Sequence, residues 1–235
     1  MSQLVYWLDL AGVIVFALSG VVLACRKRMD PVGMLVLAAV TGIGGGTLRD
    51  LVLGVRPVFW VDDPTYLWVI VATVALSLVG FHYIHRLSRG FMPVADAFGL
   101  AIFTALGSHK ALALGYTGEV ATLMGMMTGV AGGMIRDVLA RRVPMVLREE
   151  IYATAAFAGG VAYVVLYSLG APTVLTIGAS LAATLGLRLA AIYWGLALPV
   201  FAWVTIPTRP AEEGRAAAQK AKERVRMIQR QRKRR

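Results

Sequence analysis

Two stretches of the chain place the same chemistry in the same order. Thr41-Gly42-Ile43-Gly44-Gly45-Gly46-Thr47-Leu48-Arg49-Asp50 and Thr128-Gly129-Val130-Ala131-Gly132-Gly133-Met134-Ile135-Arg136-Asp137 each lead from a threonine through clustered glycines to an adjacent arginine and aspartate. A further carboxylate precedes each, Asp9 and Asp96. Carboxylates and guanidinium groups in apolar surroundings can hold or pass an ion. Catalysis would need more: His82, His85 and His109 have no nucleophile or metal-ligand constellation around them in the sequence, so an enzyme, a cofactor and a bound metal are not expected.

The recurrence is a repeat of the whole chain segment. A shift of 87 positions superposes Asp9, Gly12, Phe16 and Gly20 on Asp96, Gly99, Phe103 and Gly107, then the two glycine runs, then Pro57 on Pro144. Of the 55 positions from 9 to 63, twelve are identical to their partners without a gap. Asp, Arg, Pro and paired Gly are rare in apolar helices, so chance does not account for these matches.

The elements that position these residues are membrane helices. The 235 residues are 58% hydrophobic and 16% charged, whereas a soluble domain carries roughly a quarter charged residues. Apolar stretches of about 18 to 24 residues, long enough to cross the hydrocarbon, follow one another at about 4–24, 31–54, 64–85, 92–110, 118–140, 151–169 and 173–195. Asp30-Pro31, Asp63-Pro64, Met92-Pro93 and Gly170-Ala171-Pro172 mark boundaries. The apolar run from Thr173 to Ile206 reads as one long helix with an interfacial extension. The first span is retained, because its basic cluster follows the apolar run, unlike that of a cleavable signal. Cys25 is the single cysteine, so no intramolecular disulfide forms.

Basic residues in short loops resist translocation. Odd connections carry Arg26-Lys27-Arg28, then Arg86 and Arg89, then Arg141, Arg142 and Arg148; even connections carry only Arg56 and Lys110. The N-terminus is therefore expected outside and the C-terminus in the cytoplasm, which requires an odd number of spans. The expectation is an all-α polytopic membrane protein of seven transmembrane helices. Repeats of three spans enter from opposite faces, giving a 3+3 inverted repeat, 4–90 and 91–170, plus a seventh helix within 171–206. A basic cytoplasmic tail, 207–235, carries eleven basic and three acidic residues; it reads as a topology anchor beside anionic lipid and not as a nucleic-acid binder.

Inversion places Asp9, Arg49 and Asp50 toward the outer mouth and Asp96, Arg136 and Asp137 toward the inner one. An ionised group inside a span costs about 2.5–3.5 kcal/mol on insertion scales, so these charges should pair or line water. Side chains at i and i+1 diverge on a helix, so each arginine is expected to need a partner from another helix in place of the aspartate that follows it. Gly42, Gly44, Gly45 and Gly46, with Gly129, Gly132 and Gly133, are dense enough to weaken their helices by roughly 1 kcal/mol each. A break of both helices near the midplane is expected, lining a path. Lys110 and Glu119 read as loop charges of weaker interest, and Arg188 as an interior or snorkelling charge of the last span. Carbonyl ends at such breaks would attract cations, while half-helix N-termini would attract anions, so a zwitterion such as glycine could use both.

A glycine-rich run leading to Arg-Asp in the second and fifth of seven spans resembles the trimeric intracellular cation channel family, in its prokaryotic branch. The resemblance covers about residues 4–195. It implies a homotrimer with a pore inside each subunit for potassium and other monovalent cations, helices two and five kinked at their glycines, and a prokaryotic inner-membrane location among membrane lipids. Bacterial members are also classed as glycine transporters, so a small-zwitterion carrier is the alternative that the resemblance leaves open.

Overall fold

The computed structural model describes residues 3–147 and 151–196, with the side chains of 81–90 outside that description. The described residues form eight α-helices and one 3-10 turn: α1 Gln3–Arg26, α2 Pro31–Val52, α3 Phe59–Asp62, α4 Thr65–Val79, α5 Phe81–Ala113, α6 Gly118–Leu139, the turn Met145–Leu147, α7 Ala153–Ser168 and α8 Thr173–Trp194. α1, α2, Phe91–Ala113 and α8 are long and apolar enough to cross a bilayer by length and composition, while α4 and α7 are apolar but shorter. α6 has the 22-residue length of α2 and carries Glu119, Arg136 and Asp137.

Local chemistry sets the ends. α2 starts where Asp30 caps the Gly33 N–H at 2.7 Å and Pro31 supplies a preset first turn. It stops where Gly54 turns left-handed (φ 70°) and the Val55 N–H returns to the Asp50 carbonyl at 2.8 Å. The end of α6 repeats this with Arg141 (φ 52°) and Arg142 N–H to the Asp137 carbonyl at 2.8 Å. α1 and α5 match as well: Met29 N–H bonds to Ala24 O at 3.0 Å and Tyr116 N–H to Ala111 O at 3.1 Å. All five pairs of positions are related by the 87-residue shift. Between α3 and α4, Asp63 accepts from Thr65 N–H at 2.9 Å and from the Tyr6 hydroxyl at 3.0 Å, fastening the start of α1 to the start of α4. The Thr65 hydrogen bonds hold the Asp63 carboxyl below the usual carboxylate range.

α1, α2, α5 and α6 make the centre. α1 packs on α2 and α5, α6 packs on α5 and α2, α4 lies against α1, and α7 and α8 pack on each other, with α7 also on α6 and α8 on α5. Phe16 and Phe103, equivalent under the shift, meet with ring centroids 5.2 Å apart. Each faces a glycine of the other helix: a Cβ on Gly12 would lie 3.1 Å from Phe103, and one on Gly99 would overlap Phe16. These glycines let two helices approach through an aromatic pair.

Three boundaries differ from the sequence reading. The third apolar helix ends at Val79, before residue 85, because Gly80 interrupts it; α5 then runs through Pro93, which lies inside the helix and does not open it. The last helix ends at Trp194, where Gly195 turns left-handed (φ 61°), so the single long helix to Ile206 is not formed. The remainder of the extension and the basic tail lie outside the described residues.

Candidate functional site

The charged residues singled out from the sequence gather into two buried clusters. In the first, the Asp50 carboxylate is the hub. Its Oδ1 accepts from Arg49 Nε and from Lys110 Nζ, each at 2.8 Å, and its Oδ2 accepts from the Phe59 N–H at 3.0 Å. Asp9 Oδ2 accepts from the Tyr66 hydroxyl at 3.0 Å, and the Arg49 guanidinium lies 5.6 Å from the Phe59 ring centre. Helices α1 to α5 all contribute, and Asp9, Arg49 and Asp50 are buried.

The second cluster repeats the plan. Arg136 Nε donates to Asp137 Oδ1 at 3.1 Å, and Asp137 Oδ2 accepts from the Met145 N–H at 3.2 Å. Asp96 Oδ2 accepts from the Tyr152 hydroxyl at 2.6 Å. Here the arginine also crosses to other helices, Nη1 donating to Asp96 Oδ1 at 2.7 Å and to Ser19 Oγ at 2.9 Å. Arg188 of α8 stacks over Tyr152 at 4.8 Å and reaches the Ile151 carbonyl. Each cluster thus holds two carboxylates and two cations, an arrangement that removes the net charge a low-dielectric interior penalises most.

Two sequence expectations are corrected. Each arginine does pair with the aspartate that follows it. Although the two side chains leave the helix in different directions, the arginine arm is long enough to curl round the axis and present its Nε to the neighbour. Lys110 is not a loop charge: it belongs to the last turn of α5 and is half-buried against Asp50. Glu119 sits exposed in the first turn of α6, at the rim of an apolar cavity of about 410 Å³ between α6 and α7, and joins neither cluster.

The glycines are corrected too. α2 and α6 are continuous helices across Gly42–Gly46 and Gly129–Gly133, so the expected midplane break is absent. The glycines are used for close approach. A Cβ on Gly45 would overlap the Thr128 carbonyl, and one on Gly132 would lie 2.5 Å from the Thr41 carbonyl. Gly42 and Gly129 face the backbone of Val13 and Leu100 at 3.2 and 2.8 Å, Gly44 faces Ile135, and Gly46 faces the Phe59 ring. Gly133 leaves room for Tyr152 and Asp96, whose oxygens lie 3.1 and 3.2 Å from where a Cβ would be. The hydrogen-bond ladder runs uninterrupted across the glycines, and backbone contact between helices replaces the packing that side chains would have supplied.

Gly45 meets residue 128 and Gly132 meets residue 41, so α2 and α6 run antiparallel where they cross. Arg49-Asp50 and Arg136-Asp137 consequently lie on opposite sides of the crossing, separated along the axis by about 20 Å at 1.5 Å per residue. Sequence reading missed Tyr66, Tyr152 and Ser19. The tyrosines had a signal: they follow Asp9 and Asp96 by 57 and 56 residues, a correspondence that a gap-free shift passes over.

A family model described as glycine transporter matches the chain twice, at residues 6–82 and 93–168. The inner membrane protein YadS of Escherichia coli is 50% identical over 201 residues, 85% of this chain and 97% of that protein. A membrane protein of Vibrio cholerae is 48% identical over 201 residues, covering 86% and 84% respectively. Among solved structures, the trimeric intracellular cation channel orthologue from Rhodobacter sphaeroides matches with a TM-score of 0.79 at 41% identity, over 83% of this chain and all of that one. A prokaryotic channel of the same kind, crystallised in 0.5 M KCl, matches with a TM-score of 0.78 at 28% identity, over 84% of this chain and all of that one.

Proposed function

The chain belongs to the prokaryotic branch of the trimeric intracellular cation channel family, whose sequence model is described as glycine transporter, and on that premise we propose that it is an inner-membrane channel for potassium and other monovalent cations. The path runs inside one subunit, past the two charge clusters and along the α2–α6 crossing, and three subunits assemble. The observation that carries this reading is the double occurrence of one carboxylate, arginine and tyrosine cluster on either side of that crossing, in a fold shared with solved cation channels.

The path is formed by an inverted repeat of 4–90 and 91–170, with α8 outside it. Reciprocal contacts support this: Gly12 with Phe103 and Gly99 with Phe16, Gly45 with residue 128 and Gly132 with residue 41. Exchange of partners between equivalent positions is the signature of a twofold relation. In the membrane the N-terminus faces outside and the C-terminus the cytoplasm, following the loop charges. Asp9 and Asp50 serve the outer mouth; Asp96 and Asp137 serve the inner one.

A second reading, a carrier for glycine or another small zwitterion, draws on the family model's description and on the presence of both charge signs in each cluster. One preparation separates the two. Purified protein in a planar bilayer is expected to give discrete current steps whose reversal potential follows a potassium gradient with no glycine present. Silent bilayers combined with saturable glycine uptake into liposomes would replace the channel by the carrier.

A further inference from the structure

α6 and α7 touch closely at two glycines. A Cβ on Gly118 would lie 2.6 Å from Val164 Cγ1, and one on Gly160 would lie 3.1 Å from the Thr122 carbonyl. The two helices therefore run antiparallel, and beside these contacts they enclose the apolar cavity of about 410 Å³. Its walls are Leu123 of α6 and Phe157, Val161 and Val165 of α7, all exposed on the outside of the bundle. Val165 stands at the Glu119 end, and Phe157 lies about 12 Å deeper at 1.5 Å per residue. The single side-chain hydroxyl in the lining, on Thr122, is spent on the Gly118 carbonyl at 3.0 Å. An interior with no free donor or acceptor stays dry and takes hydrocarbon. Polarity is confined to the mouth. Glu119 is exposed there, and among the described residues it has no ion-pair partner. No lysine or arginine occurs in 111–118, in α7 or in 169–172, the segments that adjoin that mouth.

We propose that this cavity is a lipid site: it holds an acyl chain of phosphatidylethanolamine, and Glu119 takes the ammonium of that lipid's headgroup. Hydrocarbon gains little by leaving the bilayer for another apolar surface, so the chain alone does not select one lipid over another. Selection falls to the mouth. An unpaired carboxylate there attracts an ammonium and repels the net negative charge of a phosphatidylglycerol headgroup. With no basic side chain beside it, the mouth offers a bare phosphate nothing to pair with. The start of α6 lies at the outer face in the orientation drawn from the loop charges, so the lipid belongs to the outer leaflet. The site stands apart from both charge clusters and from the α2–α6 crossing, so its failure leaves the channel reading untouched.

The test uses the full chain purified in detergent, with phosphatidylethanolamine and phosphatidylglycerol of the same acyl chains as probes. Bound lipid is read by native mass spectrometry, and folding by the thermal unfolding midpoint. The unmodified protein should retain phosphatidylethanolamine over phosphatidylglycerol by up to about fivefold, the strength of one exposed ion pair. Glu119→Lys, a change at an exposed side chain, should reverse that preference. Val161→Trp fills the cavity from its outer wall and should lower retention of both lipids while leaving the midpoint in plain detergent unchanged. Equal retention of the two lipids by the unmodified protein, or a preference that survives Glu119→Lys, would overturn the proposal. So would loss of the oligomer's mass on Val161→Trp, which would make the groove a contact between copies of the chain.

Discussion

Replacing Gly45 or Gly132 by alanine tests whether the α2–α6 crossing is built on backbone contact. The added Cβ of Gly132→Ala would lie 2.5 Å from the Thr41 carbonyl oxygen, about 1 Å inside ordinary van der Waals separation. The obstacle is backbone on both sides, so no side chain can swing away and the two helices must part. Overpacking of this kind costs about 1–3 kcal/mol. Alanine recovers up to about 1 kcal/mol over glycine in a helix, leaving a net loss of up to roughly 2 kcal/mol per site. Gly178 and Gly186 in α8 are the control, because nothing lies within 4 Å of a Cβ at either; alanine there should be neutral or stabilising by up to about 1 kcal/mol. Thermal unfolding in detergent, followed by circular dichroism, should therefore move in opposite directions for the two pairs. Gly45→Ala and Gly132→Ala as stable as Gly186→Ala would refute the close-contact account.

Asp96→Asn should destabilise more than Asp9→Asn, since it breaks a buried cross-helix ion pair worth about 3–5 kcal/mol to interrupt, whereas Asp9 loses a single tyrosine hydrogen bond of about 1.5–3 kcal/mol; equal shifts in denaturation midpoint would contradict the asymmetry. Reporter fusions after Arg28, Arg89 and Arg148 should read as cytoplasmic and fusions after Asp62 and Gly115 as external, and the opposite pattern would overturn the orientation drawn from the loop charges.

Most of the architecture was legible because it is written in rare residues. Asp9 with Asp96 and Arg49-Asp50 with Arg136-Asp137 are costly in apolar helices, so their spacing alone points to both clusters. What failed was inference from local rules. Glycine density suggested a broken helix, but helix propensity measured in water is a weak prior where each amide must find a partner and a neighbouring helix rewards close approach. Divergence of adjacent side chains suggested that Arg49 and Asp50 could not pair, yet that rule concerns Cβ directions and says little about an arm as long as arginine's. Pro93 suggested a helix start and lies inside α5, where its position alone could not distinguish an opening turn from a tolerated interior site.

Three of the four charges in each cluster recur at equivalent positions of the repeat, and the fourth does not. Lys110 neutralises the first cluster from a position whose equivalent is Leu23, and Arg188 serves the second from α8, a helix with no counterpart. Both routes reach a balanced cluster, but they differ in what can leave. The Lys110 side chain keeps 17% of its surface exposed and ends in a compact, strongly hydrated ammonium on a flexible stem. Arg188 is 1% exposed and stacked on Tyr152. Withdrawing Lys110 toward water leaves two carboxylates facing one arginine, a site with negative charge to offer a cation; withdrawing Arg188 would require α8 to move with it. The Asp50 cluster therefore holds a cation that can withdraw toward water, while the cation of the Asp137 cluster is fixed in place.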